Sequence, residues 1–112
     1  MIETMEISFE TDKVAKLFNS MAALNKKFGE LCGKRIAQRL QELEAVESLE
    51  DMVFGRPHEL VGDRAGQVSL DLVHPLRLII RPTDDPPPAK PDGGIDRPKV
   101  KRVTILEAVD TH

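Results

Sequence analysis

The chain has no tryptophan and no tyrosine, and its four phenylalanines hold aromatic content to 4% of 112 residues. These four, Phe9, Phe18, Phe28 and Phe54, leave everything after residue 54 without an aromatic ring. There is a single cysteine, Cys32, so no internal disulfide can form, which is the pattern of a reducing compartment. No apolar run reaches the roughly 18–20 residues needed to span a bilayer, and Met1-Ile2-Glu3-Thr4 has neither a basic nor an apolar signal region. The expectation is a cytoplasmic chain with no membrane segment. A net positive charge is also lacking, since 16 Lys and Arg stand against 19 Asp and Glu, for a net charge of −3 and a pI near 5.6. Polyanion binding needs cationic surface, so any nucleic-acid contact must rest on a local patch.

What is present is ordinary globular composition, 40% hydrophobic and 31% charged, in a length suited to one domain over residues 1–112. The charge is uneven. Residues 1–53 hold 7 Lys and Arg against 10 Asp and Glu, whereas residues 54–112 hold 9 against 9 and all three histidines.

Met5–Phe9 alternates apolar and polar side chains, the period of a half-buried strand. Thr11-Asp12 offers a helix cap, and Val14, Leu17, Phe18, Met21 and Leu24 follow at helical spacing as far as Phe28, with Asn19-Ser20 a point of interruption. A second helix covers about Glu30–Val46, with Cys32, Ile36, Leu40 and Leu43 on one stripe and Lys34, Arg35 and Arg39 outside it. Gly33 is the weak point of that helix. After a short turn at Ser48–Met52 the period changes. Pro57–Val61 is extended, Gly62-Asp63-Arg64-Ala65-Gly66 turns, and Gln67–Val73 and Leu76–Arg81 form a hairpin about His74-Pro75. A last strand runs over about Lys101–Val109. Between the last two lies a loop at 82–98 that holds six of the eight prolines and is expected to be functional or mobile. The fold class implied is α+β: an N-terminal strand, then two helices packed on one face of a small twisted antiparallel sheet.

No metal-ligand spacing and no cofactor signature is visible, and the Gly62–Gly66 turn lacks the Lys-Ser/Thr of a phosphate loop. Cys32 reads as a small buried apolar residue. The remaining polar set is dispersed: His58, Arg64, Arg77, Asp110 and His112. It suits metal-independent RNA phosphodiester cleavage. That reaction needs a base for the ribose 2′-hydroxyl, an acid for the leaving oxygen and cations for the transition state. Histidine, with an unperturbed pKa of about 6.5, transfers protons near neutrality. Asp110 and His112 are two apart in an extended segment, which places them on one side of it. The plainer alternative makes His58 and His74 loop residues, Arg64 a turn residue and Asp110-Thr111-His112 a frayed tail.

His58-Glu59-Leu60-Val61-Gly62-Asp63-Arg64-Ala65-Gly66-Gln67-Val68-Ser69-Leu70-Asp71-Leu72, followed by His74-Pro75-Leu76-Arg77-Leu78-Ile79, resembles the HigB-like killer proteins of plasmid-maintenance toxin–antitoxin systems, within the RelE toxin superfamily. Asp92–Asp96, the terminal Ile105–His112 and the helical Gly33–Leu40 extend the likeness, so that it takes in most of the chain after residue 25. The resemblance implies a RelE-like α+β toxin that enters the ribosome and cleaves mRNA there (an mRNA interferase). It also implies a helix-turn-helix, HigA-like antitoxin as partner, in a toxin–antitoxin hetero-oligomer. On the matching positions, His58 and His112 would do acid–base work, Asp110 would orient, and Arg64 and Arg77 would hold the phosphate.

Two departures accompany the likeness. Thr111 stands where the family pattern has tyrosine between the terminal acid and histidine, and Leu76 where an aromatic is common. The acidic pI is the second, since such toxins tend to be basic. RNA bases stack on aromatic or arginine planes at about 1–3 kcal/mol per base, so here arginine must supply the plane. The alternative reading is therefore a catalytically attenuated toxin-fold protein that serves as an antitoxin-binding, autoregulatory module.

Overall fold

A computed structural model describes residues 3–111. Strand β1 (Glu6–Phe9) leads into helices α1 (Asp12–Phe18), α2 (Met21–Phe28) and α3 (Glu30–Ala45), then β2 (His58–Glu59), β3 (Val68–Asp71), β4 (Leu76–Pro82) and β5 (Arg102–Asp110), with short 3-10 turns at Leu49–Asp51, Gly62–Arg64 and Arg97–Lys99. The α+β class is as expected. The sheet order is β1-β5-β4-β3-β2. Its β2–β5 part is antiparallel, but β1 runs parallel to β5, so the five-stranded sheet is mixed.

The helices form where local signals converge. Thr11 Oγ1 accepts from the Val14 amide at 3.1 Å and Ser20 Oγ from the Ala23 amide at 3.1 Å, each satisfying an otherwise unpaired donor of a first turn. Ser20 thereby splits the expected first helix into α1 and α2. Gly33, the apparent weak point of α3, sits where α2 packs closely: a Cβ there would lie 2.2 Å from Asn25 Oδ1, so the Asn25 side chain would have to move to admit one.

One face of the sheet is buried under the helices. Ile36 and Leu43 of α3, Val68 and Leu70 of β3, Leu78 and Ile80 of β4 and Val103 and Ile105 of β5 are each fully buried in one core. Two features of α3 differ from the sequence reading. Leu40 is only half-buried, while Arg39 is 7% exposed and shares the inward stripe with Ile36 and Leu43.

Register matters most in β5. Ile80 pairs with Ile105 but Ile79 pairs with Glu107, so Leu106 is an extra residue that shifts the alternation. Beyond it, Glu107 and Val109 share the face of Ile79 and Arg77, and Ala108 and Asp110 share the helix-covered face of Leu78 and Leu76. The 82–98 loop is also more ordered in its contacts than proline content suggests. Ala89 bridges Ile95, Lys90 N donates to Gly94 O at 2.7 Å, and Ile95 is buried in the core with its amide donating to Glu59 Oε1 at 2.9 Å.

Candidate functional site

The face of the sheet away from the helices gathers the polar strand residues. In register, His58 of β2 stands beside Ser69 of β3, which stands beside Ile79 of β4 and then Glu107 of β5. The next rung, two residues along, is Asp71, Arg77 and Val109. His58 and Arg77 therefore share a face, two strands and one rung apart. Ser69 and Ile79 are buried there, at 1% and 0% exposed, and Ser69 Oγ has no hydrogen-bond partner.

Asp71 organises the end of this face. Its carboxylate takes the Arg56 guanidinium in two contacts, Nε and Nη2 each at 2.7 Å, and lies 3.7 Å from Arg77 Nε. Its backbone is held as well. Asp71 N donates to Gly55 O at 2.7 Å, and Asp71 O accepts from Arg39 Nε at 2.9 Å. Arg39 is in turn paired with Glu42 at 2.8 Å within α3, so a buried cation ties the helix layer to the strand end that carries the site. The chain passes over Arg39 closely enough that a Cβ on Gly55 would lie 2.7 Å from Arg39 Nε, and Gly55 has φ +78. Arg56 follows with φ +47, unusual for a side chain with a Cβ, and it is this turn that carries its guanidinium to Asp71.

Two clefts open around that cluster. One, of about 440 Å³, is lined by Arg56, Pro57, His58, Asp71 and Arg77. The other, of about 100 Å³, is lined by the same Arg56, Asp71 and Arg77 together with Leu72, His74, Pro75 and Leu76. Both are open and polar. The shared residues hold two cations against one anion, a local positive balance on a chain of net −3.

The sequence-derived residues fall into three groups. His58 and Arg77 meet in the larger cleft. Arg64 lies on the same face, where Nη1 reaches Glu107 Oε2 and Gln67 Oε1 at 3.3 and 3.1 Å, so it belongs to the surface but is already engaged by a carboxylate. Asp110 does not join them in register. The bulge at Leu106 puts it opposite Leu76, on the other side of the sheet from Arg77, at an exposed strand end. His112 lies outside the described residues.

Sequence reasoning missed Arg56, Asp71 and His74. Asp71 carried a usable signal: a hairpin about His74-Pro75 sets it across from Arg77, an opposite-charge cross-strand pair. Arg56 carried none, because only the Gly55 turn aims it. Among the described residues no group of three His, Cys, Asp or Glu side chains is arranged to hold a metal ion, and no helix is long and apolar enough to cross a membrane. Comparison of the chain with protein families, with curated proteins and with solved structures finds no match in any of the three.

Proposed function

We propose that this protein is the toxin of a type II toxin–antitoxin pair, acting in the cytoplasm as a ribosome-dependent mRNA endonuclease. The observation that carries this is the meeting of an imidazole, His58, with two guanidiniums, Arg56 and Arg77, in one open cleft on the polar face of the sheet. Together with the motif resemblance, that grouping fits phosphodiester cleavage by proton transfer and charge stabilisation. His58 exchanges a proton with the ribose or leaving oxygen. Arg77 and Arg56 take the charge that develops on the non-bridging oxygens, and Asp71 sets their spacing. Arg64 extends the cationic surface toward β5. Asp110 and His112 enter this reading through the resemblance alone, as orienting and acid–base groups.

The partners that follow are the ribosome with its bound message and a helix-turn-helix, HigA-like antitoxin encoded nearby. Thr111 in the family's tyrosine position favours a second reading, an attenuated toxin fold retained as an antitoxin-binding module. Induced expression without antitoxin separates them. The endonuclease reading expects growth arrest that His58→Ala relieves. Normal growth at verified soluble levels of the unmodified chain overturns it in favour of the module.

A further inference from the structure

The two clefts share Arg56, Asp71 and Arg77, and each adds one histidine: His58 in the larger and His74 in the smaller. Strand geometry fixes their order. His58 is level with Ser69, the Asp71–Arg77 rung comes two residues later along β3, about 7 Å on at the usual rise, and His74 follows three residues beyond Asp71 in the turn. The guanidinium pair thus lies between the two imidazoles along the strand axis.

We infer that His74 is the second proton-transfer residue of this site, opposite His58 across a phosphate held by Arg56 and Arg77. The inference rests on the endonuclease reading and assigns that site a group which the sequence set aside as a loop residue. In-line cleavage of an RNA phosphodiester needs a base and an acid on opposite sides of phosphorus. The 2′-oxygen attacks as its proton passes to one imidazole, and the new bond from the 2′-oxygen to phosphorus forms as the bond to the 5′-oxygen breaks. The other imidazole, protonated, gives its proton to the departing 5′-oxygen. The products are a 2′,3′-cyclic phosphate and a 5′-hydroxyl, with no further reactant. Two imidazoles flanking a shared cationic pair supply that arrangement. Among the described residues, the charged groups that line the same clefts as the imidazoles are Asp71 from β3, Arg77 from β4 and Arg56 from the preceding loop.

The test begins with binding of cytidine 3′-monophosphate to the intact protein, followed by NMR of the imidazole C2 protons, with His58→Gln and His74→Gln used for assignment. Both signals are expected to move with one saturating isotherm, and Arg77→Ala is expected to abolish both movements. Movement of His58 alone overturns the role of His74 and leaves the phosphate site intact. Movement of neither overturns the phosphate site itself. The second measurement is the pH dependence of ribosome-bound message cleavage. His74→Gln is expected to lower the rate at least 100-fold and to remove one limb of the profile, with amide spectra unchanged. A full two-limbed profile in His74→Gln, with the limb lost instead in His112→Gln, assigns the second imidazole to the chain end and overturns the inference.

Discussion

Asp71 is the residue on which the geometry of the cleft turns, and its neighbours respond differently to truncation. Arg77 is 27% exposed at its side chain, on the polar face, and its ion pair with Asp71 is of the partly exposed kind that contributes about 0–1 kcal/mol. Arg77→Ala is therefore expected to change unfolding free energy by less than about 1 kcal/mol in urea titration while relieving growth arrest. Undiminished arrest at equal stability would remove Arg77 from the phosphate site. Gly55 is the opposite case. A methyl group there meets Arg39 and imposes a left-handed conformation on a residue with a Cβ, so Gly55→Ala is expected to cost about 1–3 kcal/mol in the same titration and to weaken arrest as well. A variant as stable as the original would show that the passage over Arg39 is not tight. Arg77 was legible because alternation in a hairpin states which side chains point outward, and His58 because imidazoles are few and suit proton transfer. Arg39 was not. Its charge suggested solvent, yet its position three residues after Ile36 and four before Leu43 sets it on the inward stripe.

At the scale of elements, the strand and helix order followed from period alone, because runs of apolar residues at spacing 2 or 3.6 admit few alternatives. The details that failed were those decided by partners. The inward position expected of Leu40 is taken in part by Arg39, so Leu43, fully buried, is the position where Leu→Ala should cost about 2–5 kcal/mol. Leu40→Ala should cost less than about 2 kcal/mol, since part of its side chain is already in water. Equal losses in urea titration would contradict this description of the α3 face. The bulge at Leu106 was foreshadowed only by two adjacent apolar residues, Ile105 and Leu106, which a strictly alternating strand would not place together. That single extra residue moves Asp110 off the face of Arg77. The 82–98 loop was unreadable for another reason: Glu59 and the core hold it, and neither is local to it.

For the whole molecule, the net charge of −3 and the small cationic cluster together imply a particular kind of RNA affinity. Two or three arginine contacts to a single-stranded backbone give a slope of log affinity against log salt of about −1.4 to −2.1. Fluorescence anisotropy with a short RNA at several salt concentrations is expected to return a slope in that range. A slope steeper than about −4 would mean that a broader basic surface, not this cleft, binds the strand.

Primer extension on total message after induction, comparing a translated transcript with the same transcript lacking its start codon, measures the function most directly. The account predicts discrete cuts within the reading frame of the translated form alone, which disappear in Arg77→Ala. Cuts that persist in the untranslated form or in Arg77→Ala, or an absence of cuts with soluble protein present, would contradict it.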